Sequence, residues 1–354
     1  MIHVVFGVDG YVSPLAVALV SMFTSNINNE IKTYIVSVDL SEVDKKMLDD
    51  SARRFERELT YVNIDPSSFS KLKVFFHLTH ATFYRLFIPD MLPDLDKIIY
   101  LDCDIAVEAD LAGSWTVDMN GYGNAGVIFP SSDTQDRLGV KNGCDMNAGI
   151  LIMNLRFWRE NDITTKCTRW LESTESLMMD NDAMNVVLQG AQKGLDIHWN
   201  LNPILFGNYC NESDYPSRIL HFAGAIKPWH KCYDFKFQEL YEKYLALTPW
   251  ISGYSPEEPK NISQAISVAN QHFERGNFRS SCGYYQLAFK FRLAIQKLES
   301  EELRLTINNG IELQSSGNYF EASNFYRAVI AFWGFPLVHN INVYQFKGIQ
   351  YLHH

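Results

Sequence analysis

The triplet Asp102-Cys103-Asp104 is the part of this 354-residue chain whose residue types and spacing most directly imply chemistry. It follows the apolar run 97–101, which predicts a buried strand. Alternate residues at an extended strand end point the same way, so the two carboxylates can converge on one hard cation. Carboxylates withdrawn from water need a cation or hydrogen-bond donors to offset desolvation. The alternative is a pair of solvated turn aspartates, because a bare Asp-x-Asp motif is short and common.

A second group of residues begins at His221 and continues through Gly224, Lys227 and Pro228 to Trp229. A neutral imidazole can complete a metal site begun by carboxylates, and it favours Mn²⁺ over Mg²⁺. Gly224 allows the backbone to approach a ligand closely, and Lys227 offers a positive charge to a phosphate. Taken alone, the histidine is typical of a core residue and the lysine of a solvated one, but their combined spacing is much rarer than either.

Three further motifs place polar side chains beside apolar elements. The small residues of Asn147-Ala148-Gly149 leave room for a sugar ring, and the Asn147 amide can both donate to and accept from hydroxyls. Asp180-Asn181-Asp182 precedes a helical pattern, so helix capping competes there with ligand binding. Arg85 can pair with a carboxylate or a phosphate, or it can lie on a helix surface.

The elements that must position these motifs alternate along the first half of the chain. Strands are predicted at 3–8, 33–38, 59–64 and 97–101, and helices at 15–23, from Ser41 onward, and at 81–88, where the last stops before Pro89. This alternation indicates an α/β fold with a mostly parallel sheet. Ligands bind beyond the carboxyl ends of such strands, where Asp9, Asp102 and Asp104 all fall.

The pattern changes after Trp250, where a turn-rich stretch indicates a linker. Beyond it, 269–288 and 310–330 each place a Gly-Asn-aromatic turn between two amphipathic helical stretches. These segments predict helical hairpins. A true repeat stays open, because the offset between Gly276 and Gly317 exceeds the roughly 34 residues of a tetratricopeptide array.

Composition bounds the class of protein. The chain is 47% hydrophobic and 20% charged, with a formal net charge of −10, which indicates a globular protein and argues against sequence-independent nucleic-acid binding. No apolar run approaches the roughly 18 residues of a membrane span. The six cysteines are irregularly spaced without a Cys-x-x-Cys pair, so reduced thiols are expected. With no secretory signal recognised, a cytoplasmic protein is expected.

Together and in this order, the motifs resemble those of the family 8 retaining glycosyltransferases, whose fold is of the GT-A type. The resemblance spans roughly residues 1–250. It implies a Rossmann-like, mixed, mostly parallel sheet flanked by helices, with a C-terminal α-helical region of TPR-like hairpins. The expected divisions are a nucleotide-sugar glycosyltransferase domain at 1–250, a linker at 251–262, hairpins at 263–336 and a tail at 337–354.

The resemblance also implies roles for individual residues. Metal binding, with Mn²⁺ preferred and Mg²⁺ as the alternative, falls to Asp102, Asp104 and His221. Nucleotide and donor binding falls to Val8, Asp9, Tyr11, Arg85, Asp102, Cys103, Asp104, Asn147, Ala148, Gly149, Gly224 and Lys227. Catalysis falls to Asp180, Asn181 and Asp182. Two positions depart from the family: the Asp9-Gly10-Tyr11 turn is one residue shorter than usual, and Asn181 stands where Gln is common.

The function implied is transfer of glucose or galactose from a UDP-sugar to a saccharide acceptor, with retention of configuration. The C-terminal region resembles bacterial lipopolysaccharide core glucosyl- and galactosyltransferases, which implies a lipid-linked acceptor met at the inner membrane. Front-face attack and a covalent intermediate on Asp182 or Asn181 both stay open. Alternatives are a protein or capsule acceptor, and a non-catalytic hairpin scaffold with a vestigial nucleotide site. Peripheral membrane contact through 260–354 competes with simple packing of the hairpins on the catalytic domain.

Overall fold

A computed structural model describes residues 1–74, 79–129, 132–140, 145–176, 178–203, 212–224, 227–231, 237–295 and 301–332. Within these ranges the chain forms two compact units. The first holds the residues up to 223 together with 239–254, and the second holds those of 224–238 and 255–332. The four-part division expected from the sequence stays a prediction, and its tail, 337–354, lies outside the described residues.

A seven-stranded sheet is the centre of the first unit. Its strands are β1 Ile2–Gly7, β2 Ile31–Ser37, β3 Leu59–Asn63, β4 Lys97–Leu101, β6 Asn124–Val127, β7 Ile150–Asn154 and β8 Gln192–Leu195. They lie in the order β3-β2-β1-β4-β7-β6-β8. Only β7 runs antiparallel to its neighbours, β4 and β6, while the other pairs are parallel. The mixed, mostly parallel sheet predicted from the sequence is confirmed.

A second, two-stranded sheet lies outside this order. It pairs β5 Ile105–Val107 with β9 Ile219–His221 in antiparallel register, and Ile105 faces His221. The sequence pattern did not predict these strands, because three residues are too few to show a periodicity. This short sheet matters because it brings the chain around residue 220 to the end of β4.

Helices flank the large sheet. From Val12 to Leu245 they are α1 Val12–Ser25, α2 Glu42–Arg53, α3 Tyr84–Met91, α4 Leu111–Trp115, α5 Ser132–Leu138, α6 Leu155–Glu160, α7 Ile163–Ser173, α8 Met179–Val187 and α9 Gln238–Leu245. The apolar side chains of α1 are buried with those of β1 in one core. The capped start predicted at Ser41 is confirmed, because its side chain accepts a hydrogen bond from the Asp44 amide.

The helix predicted at 81–88 differs in detail. The segment opens as a 3₁₀ turn, His80–Phe83, and α3 then continues through Pro89 to Met91. The prediction that it stops before Pro89 is therefore wrong. Proline lies here in the last turn of a short helix, where its missing N–H removes only one intrahelical hydrogen bond.

The second unit contains four helices within the described residues. They are α10 Ile262–Glu274, α11 Phe278–Ile295, α12 Glu301–Ser315 and α13 Tyr319–Phe332. Gly276 and Gly317 take positive φ angles of 75° and 82° in the two turns, a conformation that glycine adopts at low cost. The helices predicted there are confirmed, while their likeness to tetratricopeptide repeats stays a prediction.

The described helices include none that combines the length and apolar character of a membrane crossing. Among the cysteines within the described ranges, Cys103, Cys167 and Cys282 are free and buried, as expected of reduced thiols. The other three, Cys144, Cys210 and Cys232, lie outside those ranges.

Candidate active site

Two carboxylates and one imidazole meet at the end of β4. Asp102 follows β4, Asp104 precedes β5, and His221 is the last residue of β9. One ligand atom from each lies within 4.8 Å of the others. The His221 Nε2 atom is 3.5 Å from Asp104 Oδ1 and 3.7 Å from Asp102 Oδ2. The three side chains that the sequence assigned to one cation therefore lie together.

Backbone hydrogen bonds hold this group in place. The Asp102 amide donates to the Gly149 carbonyl at 2.8 Å, and the Phe222 amide donates to the Asp104 carbonyl at 2.9 Å. Gly149 also leaves the space that the imidazole occupies. A Cβ atom at 149 would lie 2.2 Å from His221 Cε1 and 2.9 Å from Asp102 Oδ2. Only a residue without a side chain lets β7 begin beside the cluster.

The chemistry of the donors fits a divalent cation. Asp104 and His221 are buried, at 9% and 4% exposure. Burial is the largest cause of a raised pKa at Asp102, and the Asp104 carboxylate adds to it. A cation would offset the cost of holding both carboxylates charged in this place. Two carboxylate oxygens and an imidazole nitrogen are ligands that suit Mn²⁺.

Arg85 lies behind this cluster. Its guanidinium is buried, 3.1 Å from Asp102 Oδ1 and 3.0 Å from an oxygen of Asp180, and it stacks on the Tyr100 ring at 4.5 Å. The Tyr100 hydroxyl also donates to Asp102 Oδ1, at 3.0 Å. One oxygen of Asp102 is therefore held by Arg85 and Tyr100, while the other faces His221. The alternative of a surface arginine is wrong, because the side chain is enclosed.

Asp180 is the second carboxylate that Arg85 holds. Its side chain is 2% exposed and accepts a hydrogen bond from the Thr82 hydroxyl. Burial raises the pKa of Asp180 to about 6, against the opposing effect of Arg85. The carboxylate is therefore mostly ionised at neutral pH and depends on Arg85 for its counter-charge.

Helix α8 binds the turn that carries the predicted sugar-binding residues. Asn181 Oδ1 accepts from the Ala148 amide at 2.8 Å. One helical turn later, Asn185 accepts from the Met146 amide at 2.9 Å and donates to the Met146 carbonyl at 3.1 Å. Residues four apart share a helix face, so the two amides together hold alternate peptides of 146–148. Arg85 adds a hydrogen bond to the Ala148 carbonyl.

Asp182 has different surroundings from Asp180. It is fully buried, and its oxygens accept from Arg137, from the Ser176 hydroxyl at 2.6 Å and from the Met178 amide at 3.2 Å. These bonds join α5, the segment before α8, and α8 itself. The catalytic role assigned to Asp182 stays a prediction, while its contacts are those of an anchor.

The end of β1 carries the residues assigned to the nucleotide base. Val8 is buried, and its amide donates to the Val36 carbonyl at 2.9 Å. Tyr11 is 39% exposed, just before α1. Burial, with a smaller contribution from the Asp9 carboxylate, raises the pKa of Tyr84 to about 12. The base-binding roles stay predictions.

The remaining donor-site residues divide between the two units. In the first, Cys103 is buried and donates to the Gly7 carbonyl at 3.2 Å, and burial raises the pKa of its thiol well above the usual range. In the second, Gly224 takes a φ of 102°, and Lys227 is buried, with its amide donating to His230 Nδ1 at 3.2 Å. The roles of all three residues stay predictions.

A comparison with protein families identifies the chain. The model described as "Glycosyl transferase family 8" matches residues 3–232, which covers more than half of the sequence and includes all three predicted metal ligands. The chain belongs to glycosyltransferase family 8. It is therefore a glycosyltransferase, an enzyme that transfers a sugar from a donor to a saccharide acceptor.

Two curated proteins are similar to this chain in sequence, and a solved structure is similar to it in fold. General stress protein A of Bacillus subtilis (strain 168) is 26% identical over 68% of this chain and 92% of its own length. Lipopolysaccharide 1,3-galactosyltransferase of Salmonella typhimurium (strain LT2) is 23% identical over 82% of this chain and 91% of its own. The crystal structure of galactosyltransferase LgtC, with donor and acceptor sugar analogues, superposes with a TM-score of 0.63 at 22% identity, over 70% of this chain and 96% of that one. This likeness confirms the predicted GT-A fold.

Three contributors to the family 8 site were missed by reasoning from the sequence. Tyr100 lies at the end of the strand predicted at 97–101, and no site role was predicted for it, for Asn185 or for Asn200. Asn200 is 2% exposed, and its Oδ1 lies 2.9 Å from His221 Nδ1. The alternation of polar and apolar residues does not reveal such residues, because the role of each depends on which side chain it contacts in the folded protein.

Proposed function

We propose that this family 8 glycosyltransferase moves glucose or galactose from a UDP-sugar to a saccharide acceptor, with Mn²⁺ as cofactor and with retention of configuration. The observation that carries the proposal is the cluster of Asp102, Asp104 and His221 at the carboxyl end of β4, where α/β sheets bind ligands. Mg²⁺ is the alternative cation. Bound there, the cation would offset the negative charge that develops on the diphosphate as the anomeric bond breaks.

The predicted donor-binding residues would each contact a different part of the donor. Asp9 and Tyr11 would hold the uracil, and Asp104 would also reach the ribose. Arg85 and Asp180 would face the sugar, with their charges balanced by their own ion pair at 3.0 Å. Lys227 and Gly224 would bind the diphosphate.

Front-face attack, one of the two routes to retention, is supported by the way in which Asn181 and Asp182 are engaged. Asn181 Oδ1 already accepts from the Ala148 amide, and an amide is a poor nucleophile. Asp182 is fully buried among three donors. Neither side chain offers a free oxygen to the anomeric carbon. This arrangement favours front-face attack, in which the acceptor hydroxyl approaches the sugar from the same face as the one from which the leaving group departs.

The acceptor is proposed to be a hexose or heptose of a growing lipopolysaccharide core, on a lipid. Support comes from the Salmonella relative, whose name describes a lipopolysaccharide galactosyltransferase and which aligns with 82% of this chain. A protein or capsule acceptor is the competing outcome. Transfer to defined acceptors of each class decides between them. Peripheral contact with the inner membrane stays a prediction.

The direct test is a panel of UDP-sugars with Mn²⁺, measured as UDP release, for the wild type and for Asp104→Asn. We expect release with UDP-glucose or UDP-galactose, loss of the Mn²⁺-dependent rate in Asp104→Asn, and an unchanged unfolding midpoint. Asp118→Asn is the matched control, because Asp118 is an exposed turn residue that accepts from the Asn120 amide. Near-normal transfer by Asp104→Asn would overturn the metal assignment.

A further inference from the structure

Four residues form a continuous hydrogen-bonded chain from the backbone amide of Gly149, just before β7, to the imidazole of the metal cluster. The Gly149 amide donates to Asn147 Oδ1 at 3.0 Å, and Asn200 Nδ2 donates to the same oxygen at 2.9 Å. Asn200 Oδ1 lies 2.9 Å from His221 Nδ1. Both Asn200 and His221 are buried, so water does not compete for these bonds.

The polarity of this chain follows from its first member. A backbone N–H can only donate, so the Asn147 atom that it meets must be the carbonyl oxygen. The Asn200 atom on that oxygen must then be its NH₂ group. The opposite end of Asn200 is therefore its carbonyl oxygen, which can only accept, so His221 Nδ1 carries the proton. This argument needs no observed hydrogen, and it removes the usual ambiguity of amide and imidazole orientation.

We propose that Asn200 is a positioning residue that holds the proton of His221 on Nδ1 and so leaves Nε2, the nitrogen on the side of Asp102 and Asp104, to bind the metal. The inference rests on the proposed function, since the proposed function is what assigns a cation to the cluster of Asp102, Asp104 and His221. Nε2 is the nitrogen that faces the carboxylates, at 3.5 Å from Asp104. Partners of this kind orient metal-bound histidines and raise their affinity for the ion.

The neighbouring backbone is arranged to keep Asn200 in place. The Leu201 amide donates to the Ile219 carbonyl, and the His221 amide donates to the Leu201 carbonyl, both at 2.9 Å. The residue after Asn200 is thus bonded along β9, directly beside the imidazole. The Asn147 side-chain oxygen already accepts from the Gly149 amide and from Asn200 Nδ2, so the group that Asn147 can offer to a sugar is its NH₂. This narrows the predicted role of Asn147 to that of a hydrogen-bond donor.

The test compares Asn200→Ala, Asn200→Asp and the wild type without any sugar nucleotide. Mn²⁺ affinity is measured from the electron paramagnetic resonance signal of free Mn²⁺. We expect Asn200→Ala to raise the Kd by about 10–100-fold. Asn200→Asp keeps an acceptor for Nδ1–H, and a carboxylate partner makes the imidazole a stronger ligand, so its Kd should lie much closer to the wild-type value than that of Asn200→Ala. An Asn200→Ala variant with wild-type affinity would overturn the proposal.

A second measurement does not depend on metal binding. Nitrogen-15 NMR of histidine-labelled protein, at about pH 8 where free histidine is neutral, reports which ring nitrogen carries the proton. The signal of His221 is assigned from its absence in His221→Gln. We expect the Nδ1–H form in the wild type and a shift toward Nε2–H in Asn200→Ala; a dominant Nε2–H form in the wild type would overturn the inference.

Asn124→Ala is the matched control for losing a buried amide, because Asn124 Oδ1 accepts from Trp158 Nε1 at 2.9 Å. It should keep the wild-type Kd and tautomer. A wild type that binds no Mn²⁺ but shows the Nδ1–H tautomer would remove the metal from the proposed function while supporting the role of Asn200 in orienting the ring. The two claims can thus fail separately.

Discussion

At the scale of single residues, Gly149 and His221 occupy positions that depend on each other. The ring of His221 fills the space where any other residue at 149 would carry its Cβ, and the Gly149 carbonyl accepts the Asp102 amide. The glycine was predicted as a small residue that leaves room for a sugar. In the structure it leaves room for the imidazole, so its first role is within the protein.

Gly149→Ala should therefore damage the site without unfolding the chain. The new Cβ would lie 2.2 Å from His221 Cε1, so the ring must move by about 1 Å or more. Misplacement of that size commonly costs about 100-fold in rate, and we expect kcat/KM for UDP-sugar turnover to fall by about that factor. Steady-state kinetics with a circular dichroism melt checks this.

The matched control for this substitution is Gly194→Ala. Gly194 lies in β8 of the same sheet, and its new Cβ would make only an ordinary van der Waals contact, 3.5 Å from Ile128. We expect wild-type turnover from it. Full activity in Gly149→Ala would mean that His221 can move freely and is not held as the contacts indicate.

At the scale of secondary-structure elements, the pattern of the sequence predicted where the strands and helices lie better than how they connect. The strand at 97–101 matches β4, because its apolar run is continuous and ends at charged residues. The antiparallel direction of β7 was not predictable, since an apolar strand such as Ile150–Asn154 reads the same in either direction. The pairing of β5 with β9 links residues more than 110 apart, which no local pattern encodes.

The same distinction applies to the candidate site. Asp102, Asp104 and His221 were found because their residue types limit the chemistry that they can do. Asn200 and Asn185 were missed because asparagine is common in turns and helix ends, and its meaning depends on its partner. Helix α8 is the clearest case. Residues 180–182 were expected before the helix, as caps or as ligand contacts, but they lie inside it, Met178 is its N-cap, and each of the three has a different partner.

A substitution of Asp182 tests whether its hydrogen bonds stabilise the fold around helix α8. Removing its carboxylate in Asp182→Ala leaves Arg137, Ser176 and the Met178 amide without a shared acceptor. Arg137 keeps some exposure, at 25% of its side chain, so we expect the lower end of the usual range for a broken buried pair, about 3 kcal/mol of unfolding free energy. Urea unfolding measures this loss.

Kinetics at a temperature where the variant stays folded separates the two roles of Asp182. If Asp182 has only a structural role, Asp182→Ala should change kcat much less than it changes the free energy of unfolding. Ser176→Ala, which removes one of the same bonds, should cost about 1 kcal/mol. Loss of turnover in Asp182→Ala with an unchanged unfolding free energy would instead support the catalytic role.

At the scale of the whole molecule, the ligands of the candidate metal site come from segments far apart in the chain but within one compact unit. Asp102 and Asp104 follow β4, and His221 ends β9, all in the unit that holds the large sheet. Helices α10 to α13 belong to the other unit, with a core of their own that includes Tyr285 and Tyr326. Metal binding should therefore stabilise the two units unequally.

Hydrogen exchange with and without Mn²⁺ measures this difference. At a free Mn²⁺ concentration of about 100 times the Kd, binding stabilises the native state by about 2.7 kcal/mol. We expect amide exchange in β4, β7 and β9 to slow, because a cation bound by Asp102, Asp104 and His221 would join segments that otherwise separate when the unit opens. Exchange in α10 to α13 should stay the same, and Asp104→Asn should abolish the effect. Equal slowing in both units would show that they open together, and no slowing in either would show that the cluster holds no Mn²⁺.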